Sequence, residues 1–357
     1  MGLRMATMLL VDSHLDLAMN ALLLNRDLTR NVHEIRKQEV GMPEKGRASG
    51  TVAFPEMRTG EVGVCLATIL ARQHVGAIWT SYRTPEIAYA AGQGQLAYYR
   101  ILEREGVTRI ITEWETLDKH VKEWQQNREK TPFGFVLSME GADPVLSPED
   151  IGSWWRDGLR VLSLVHYKMN AYACGTGTRG GLTSKGRELL EEMDSLGMVL
   201  DVTHLSEESF WEALDAFKGP IIASHNNCRA LVPGERQFSD EQVRALVKRD
   251  AVIGVALDAW MLYPGWVRGE TQNTVVSLEA VADQMDHIRQ LVGNCRNIAV
   301  GSDLDGGFGK EQCPHDLDTI ADLQKVPDML KKRGYSEEDI RNIMHGNLLR
   351  LFRKAWS

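Results

Sequence analysis

Short apolar runs recur along the chain, separated by longer stretches in which apolar residues fall three or four positions apart. The short runs predict β-strands at 9–14 (LLVDSH), 62–69 (VGVCLATI), 134–140 (GFVLSME) and 159–166 (LRVLSLVH). Four more follow at 198–204 (MVLDVTH), 220–225 (PIIASH), 252–257 (VIGVAL) and 297–303 (NIAVGSD). The intervening stretches predict helices with readable starts. Thr84-Pro85 and Ser147-Pro148 place a capping side chain ahead of a proline, while Ser239 with Gln242 and Ser336 with Asp339 have capping-box spacing. A further run, 108–112 (TRIIT), ends in no chemistry and precedes a charged helix, so it is placed outside the set of strands.

Eight strands alternating with helices predict an α/β fold, a closed (β/α)8 TIM barrel, for which about 250 residues are typical. The chain has 357. The excess is assigned to 20–60, read as a charged loop region after the first strand, and to extra C-terminal helices from about 318 onward. No linker, low-complexity tract or internal repeat divides the sequence, so 1–357 is expected to be a single domain.

Composition narrows the function classes. At 43% hydrophobic and 25% charged residues the chain has the balance of a globular protein. A net charge of −8, with scattered basic residues, speaks against nucleic acid as a partner. Cys65, Cys174, Cys228, Cys295 and Cys313 are odd in number and form no C-x-x-C pair, so reduced thiols are expected. The apolar MLLV near the start is cut short by Asp12, too soon for a signal sequence, and no run approaches the length of a membrane span. A cytoplasmic location without membrane contact is the expectation.

The strand ends carry the chemistry. The first ends in His14 and Asp16, the third in Glu140, the fourth in His166, the fifth in His204, the sixth in His225 and the eighth in Asp303. In a barrel the C-terminal strand ends converge on one mouth, so these distant residues would meet there. Imidazole nitrogens and carboxylate oxygens suit Zn²⁺ or a similar divalent ion, and so many at one rim argue for two ions. His14 and Asp16 could hold one, His204 and His225 the other, with Glu140 bridging. Asp12 could hydrogen-bond a loop, and Asp305 could tether one. His33, His74, His120, His287 and His345 lack partners at ligand spacing and are read as surface or structural groups. The run Cys313-Pro314-His315-Asp316 has ligand-type residues but no second half of a site.

The elements DSHLD (12–16), SMEGADP (138–144), HYKMN (166–170), DVTHLS (201–206), IIASHNNCRAL (221–231), GSDLDG (301–306) and GNLLRLF (346–352) resemble, in this order, the membrane (renal) dipeptidase family of zinc metallopeptidases. The resemblance implies an amidohydrolase-type barrel that cleaves dipeptides, L-Xaa-D-Xaa among them, with two zinc ions. His14 and Asp16 would bind one ion and His204 and His225 the other, with Glu140 between them. It further implies that His166 contacts the substrate near the scissile carbonyl, that Asp303 handles protons, and that Arg236 faces the substrate; on the residues alone, Arg229 is the rival to Arg236 as the cation for the substrate carboxylate. The chain departs from the family at Arg236-Gln237, where Arg-Asn is frequent, and over 255–266 (VALDAWMLYPGW), which differs from the animal enzymes.

On this reading a water between the two ions, ionised near neutral pH, attacks the peptide carbonyl. His166 stabilises the oxyanion, and Asp303 takes the water's proton and passes it to the leaving amine. A lactonase or another amide or ester hydrolase on the same barrel is the alternative. Many such enzymes bridge their metals with a carboxylated lysine, and GFVLSMEGADP offers Glu140 and no lysine. A barrel that keeps its metals but serves as a scaffold is the remaining class. The C-terminal helices could pair in a homodimer.

Overall fold

The computed structural model describes residues 7–73 and 81–356; His74 lies outside them. Eight parallel strands run in chain order: β1 Leu10–Leu15, β2 Val62–Ile69, β3 Phe133–Glu140, β4 Leu159–Ser163, β5 Val199–Asp201, β6 Ile221–Ala223, β7 Val252–Val255 and β8 Ile298–Val300. Each pairs with its neighbour, β8 pairs with β1, and β2 pairs with β3, so the sheet closes on itself. Helices on the outside connect the strands, and the fold is the expected (β/α)8 barrel. All eight residues of β2 and all eight of β3 are buried, because one face fills the barrel and the other meets the helices.

The run 108–112 does form a strand, Thr108–Ile110, outside the barrel as expected. It pairs with Phe133–Phe135 at the start of β3, on the edge that β4 takes over from Leu137 onward. That places it at the N-terminal end of the barrel, away from the mouth.

The segment 20–60 is not the loop the sequence suggested. It contains helices Val32–Gln38 and Phe54–Thr59, preceded by Leu17–Leu23 directly after β1. The charged residues that made it look loop-like are used internally. Buried Arg26 donates to Glu39 at 2.8 and 3.0 Å and to Asp305 at 3.3 Å. Asp305 in turn accepts the Thr51 and Val52 amides at 2.7 and 3.0 Å, which fastens this insertion to the loop after β8.

The capping signals hold. Thr84 accepts from the Ile87 amide, and Ser147, Ser239 and Ser336 form capping boxes with Asp150, Gln242 and Asp339. At the C-terminus, helix Asn347–Trp356 buries Leu348, Leu351 and Phe352 against the barrel's outer layer. Among the described residues no helix is long and apolar enough to cross a membrane.

Candidate metal centre and its cavity

His14 projects from β1, and Asp16 follows one residue past its end, at the start of helix Leu17–Leu23. Glu140 is the last residue of β3, while His166, His204, His225 and Asp303 lie in the turns just beyond β4, β5, β6 and β8. The predicted strands at 159–166, 198–204, 220–225 and 297–303 were therefore too long at their ends. The reason is visible in the backbone: His204 and Asp303 have φ of 68° and 55°, a left-handed conformation that ends a strand and swings the side chain into the mouth.

The two carboxylate oxygens of Glu140 face different partners. Its Oε1 lies 3.1 Å from His204 Nε2 and 3.3 Å from His225 Nε2, whereas its Oε2 lies 3.8 Å from His14 Nε2. His14 Nε2 is also 3.6 Å from Asp16 Oδ2 and 3.8 Å from Asp303 Oδ1. Three overlapping sets result, each with its ligand atoms within 4.8 Å of one another: His14, Asp16 and Glu140; Glu140, His204 and His225; and His14, His225 and Asp303.

This donor set fits divalent cations. His14 Nε2 and Asp16 Oδ1 are buried with no hydrogen-bond partner, and His204 Nε2 and His225 Nε2 face each other at 3.2 Å. Buried polar atoms left this way are costly unless something else satisfies them. The electrostatics agree. Burial alone would lower the pKa of His14, but Glu140, Asp16 and Asp303 overcome it and raise it to about 10. Burial pushes Glu140 up to about 7, and burial followed by neighbouring cationic groups lowers His204 and His225 well below the usual imidazole range.

Two aspartates fix the ligand-bearing strand ends in pairs. Asp12 Oδ1 accepts the His14 amide at 3.1 Å and the Ser302 amide at 2.9 Å, clipping β1 to the turn after β8. Asp201 Oδ1 accepts the Thr203 and Ser224 amides, both at 3.0 Å, clipping the turns after β5 and β6. Asp12 thus serves backbone, in line with the expectation that it could hydrogen-bond a loop. The rings are oriented as well: Ser224 Oγ lies 2.9 Å from His225 Nδ1 and Thr176 Oγ1 3.2 Å from His204 Nδ1, leaving each Nε2 toward Glu140.

A cavity of about 410 Å³ opens over this cluster. His166 lines it with Nε2 3.7 Å from Glu140 Oε1. Arg72, which the sequence reading missed, approaches His166 Nδ1 at 3.4 Å. A guanidinium can only donate, so Nδ1 accepts and the proton of the neutral ring sits on Nε2, facing the cavity. Burial first, then Arg72 and Arg236, keep His166 well below the usual pKa.

Of the two arginine candidates only Arg236 lines the cavity. It is buried, donating to Asn226 Oδ1 and, at 2.8 Å, to the His225 carbonyl. Arg229 points elsewhere, to the Gln237 carbonyl at 3.0 Å and Glu207 at 3.0 Å. Also unforeseen were Lys45, Tyr167, Asp258, Trp260, Arg268 and Gln312. Asp258 and Trp260 fall within 255–266, and an acid one residue past a predicted strand was the signal available for Asp258.

The histidines set aside stay apart from the cluster. His120 is buried, with Nε2 2.9 Å from the Gly63 carbonyl. His287 pairs with Asp240 at 2.8 Å, His345 with the Leu9 carbonyl at 2.9 Å, and exposed His33 lies 3.9 Å from Asp318. Cys313 is buried with its Sγ toward the Gly309 carbonyl, and Asp316 accepts the Leu278 amide, so that run is structural. All five cysteines are buried and unpaired.

Comparison with known proteins supplies the remaining observation. The sequence profile of the membrane dipeptidase family, Peptidase family M19, matches residues 4–356. Dipeptidase tcpJ of Claviceps purpurea is 29% identical over 207 residues, which are 56% of this chain and 45% of that protein. An uncharacterized dipeptidase of Schizosaccharomyces pombe is 25% identical over 306 residues, 80% of this chain and 71% of that protein. The crystal structure of a metallopeptidase from Rhodobacter sphaeroides, liganded with a phosphinate mimic of the dipeptide L-Ala-D-Ala, superposes with a TM-score of 0.80 at 21% identity. That superposition covers 98% of this chain and 100% of the other, a likeness of fold.

Proposed function

The chain belongs to the membrane dipeptidase family, Peptidase family M19, and from that premise we propose that it hydrolyses the peptide bond of dipeptides, L-Xaa-D-Xaa included, at a centre of two zinc ions. The observation that carries the reading is the division of Glu140, one oxygen toward His204 and His225 and the other toward His14. A carboxylate so placed suits two cations better than one. His14 and Asp16 would hold the first ion, His204 and His225 the second, and Glu140 both. When bound, such ions would polarise a carbonyl and lower the pKa of a water from 15.7 to about 7.

The chain's own groups supply the rest. His166, with its proton directed to Nε2 by Arg72, donates a hydrogen bond to the carbonyl oxygen as negative charge develops there. Asp303, half-buried at the edge of the ligand cluster, accepts the proton of the attacking water and returns it to the leaving nitrogen. Arg236 offers its remaining N–H groups to the substrate's terminal carboxylate. The Rhodobacter relative's phosphinate mimic of L-Ala-D-Ala favours the same substrate stereochemistry here.

Zinc-loaded protein assayed on L-Ala-D-Ala, a lactone and a phosphotriester tests the reading. Turnover of the dipeptide alone is expected, abolished by a chelator. Asp303→Asn is expected to lower kcat by about 10²–10⁴-fold, the usual range for a lost general base, with a smaller change in KM. Lactone or phosphotriester turnover in place of dipeptide turnover would refute the assignment, and full peptidase rate in Asp303→Asn would remove that residue from the mechanism.

A further inference from the structure

Away from the ligand cluster, the cavity wall is dominated by one sign of charge. Lys45, Arg72, Lys168, Arg236 and Arg268 line it, and apart from Asp16, Glu140 and Asp303 its one carboxylate among the described residues is Asp258. The whole chain carries −8, so this concentration of cations runs against the composition. Arg236 has a role in the reading above, and Arg72 is turned to His166. Lys45, Lys168 and Arg268 are left over, and of these Lys45 and Arg268 both act on Asp258.

These two arrive from different parts of the chain and meet across Asp258. Lys45 stands on the insertion after β1, its Nζ 3.0 Å from Gln312 Oε1. Arg268 comes from the long connection after β7, with its guanidinium 5.0 Å from the centre of the Trp260 ring. The same Gln312 donates to Asp258 Oδ1 at 2.7 Å, and that oxygen also faces the Trp260 amide at 3.3 Å. Asp258 is thus occupied by neutral donors while it faces both cations, and Lys45 also lies near Glu311 and Asp303. The Arg268 guanidinium lies over the indole and hydrogen-bonds Tyr167, which leaves its other N–H groups for a planar anion.

We propose that Lys45 and Arg268 receive a carboxylate on the substrate's side chain, so that the preferred substrates are dipeptides containing an acidic residue. The proposal rests on the dipeptidase reading. Both cations are at the exposed rim, where salt screens them, so their effect belongs in selectivity and in the encounter with substrate.

The test compares kcat/KM for L-Ala-D-Ala, L-Ala-D-Glu, L-Glu-D-Ala and L-Ala-D-Lys on the zinc-loaded full chain. One acidic dipeptide is expected to exceed L-Ala-D-Ala by about tenfold or more, and which one it is places the receptor at the N- or C-terminal residue of the substrate. In Lys45→Gln/Arg268→Gln the acidic-to-neutral ratio is expected to fall at least fivefold. Exposed Arg268→Gln alone gives a partial fall if the double variant is poorly folded, and added salt narrows the ratio in the native protein. Equal rates on neutral and acidic dipeptides, or preference for L-Ala-D-Lys, would overturn the proposal while leaving the dipeptidase reading intact. An acidic preference undiminished in the variants would overturn the assignment to Lys45 and Arg268. Failure to cleave any of the four would remove the dipeptidase reading and this inference with it.

Discussion

His120 shows how one histidine can be structural and still measurable. Its Nε2 faces the Gly63 carbonyl at 2.9 Å and its Nδ1 faces Arg109 at 3.3 Å, so it needs one proton, on Nε2, and has no room for a second charge. Burial, with Arg109 adding to it, lowers its pKa from 6.5 to about 4. Above pH 6.5 the ring is neutral in both folded and unfolded chains. As pH falls from 6.5 toward 4 the unfolded chain takes the proton first, so stability contributed by the neutral ring is progressively lost, up to roughly 3 kcal/mol. An imidazole NMR titration is expected to place His120 near 4; a midpoint near 6.5 would contradict the packing described. At this scale the residues that converge at the barrel mouth were legible in the sequence because each lies at the end of an apolar run. Arg72, Lys45 and Arg268 were not, because isolated basic residues carry no periodic signal and only folding brings them to one wall.

The strands and their capped helices were legible for the same reason the barrel forms: buried strands require continuous apolar runs, and helix starts require side-chain acceptors. Strand ends were less so. The pattern LDVTH reads as strand through His204, yet pairing stops at Asp201, whose carboxylate takes the Thr203 and Ser224 amides and turns the chain. Asp201 clips the two turns that carry His204 and His225, which predicts a selective defect. In Asp201→Ala the second ion is expected to be lost, so that bound metal falls from two per chain to about one. Asp201→Asn keeps the accepting oxygen and is expected to retain both. Equal metal content in the alanine variant and the native chain would show that the clip is dispensable. The insertion 20–60 was illegible because its charges, Arg26 and Glu39, are satisfied inside the fold, by each other and by Asp305 of the loop after β8.

Closure of the whole barrel depends on small residues where strands approach most closely. Ser13 Oγ donates to the Ser224 carbonyl at 2.6 Å and contacts the Val300 carbonyl at 3.0 Å, crossing the barrel interior beneath the ligand cluster. A Cβ on Gly301 would stand 1.8 Å from the Ser224 carbonyl and 2.7 Å from Ser13 Oγ. Gly301→Ala is therefore expected to cost about 3 kcal/mol, at the upper end of overpacking penalties, read as a lowered urea midpoint. An unchanged midpoint would mean that the barrel yields there. Sequence alone indicated eight strands but not this crossing, since register and close approach are properties of the assembled sheet. The same assembly gathers the carboxylates of Asp16, Glu140 and Asp303 around three imidazoles, and the central claim is that two cations belong among them. Anomalous diffraction at the zinc edge from crystals of the zinc-loaded protein tests it most directly. The account predicts two peaks about 3.5–4 Å apart, the usual spacing of two-metal sites, one on each side of Glu140. A single peak, or none within reach of Glu140, would contradict it.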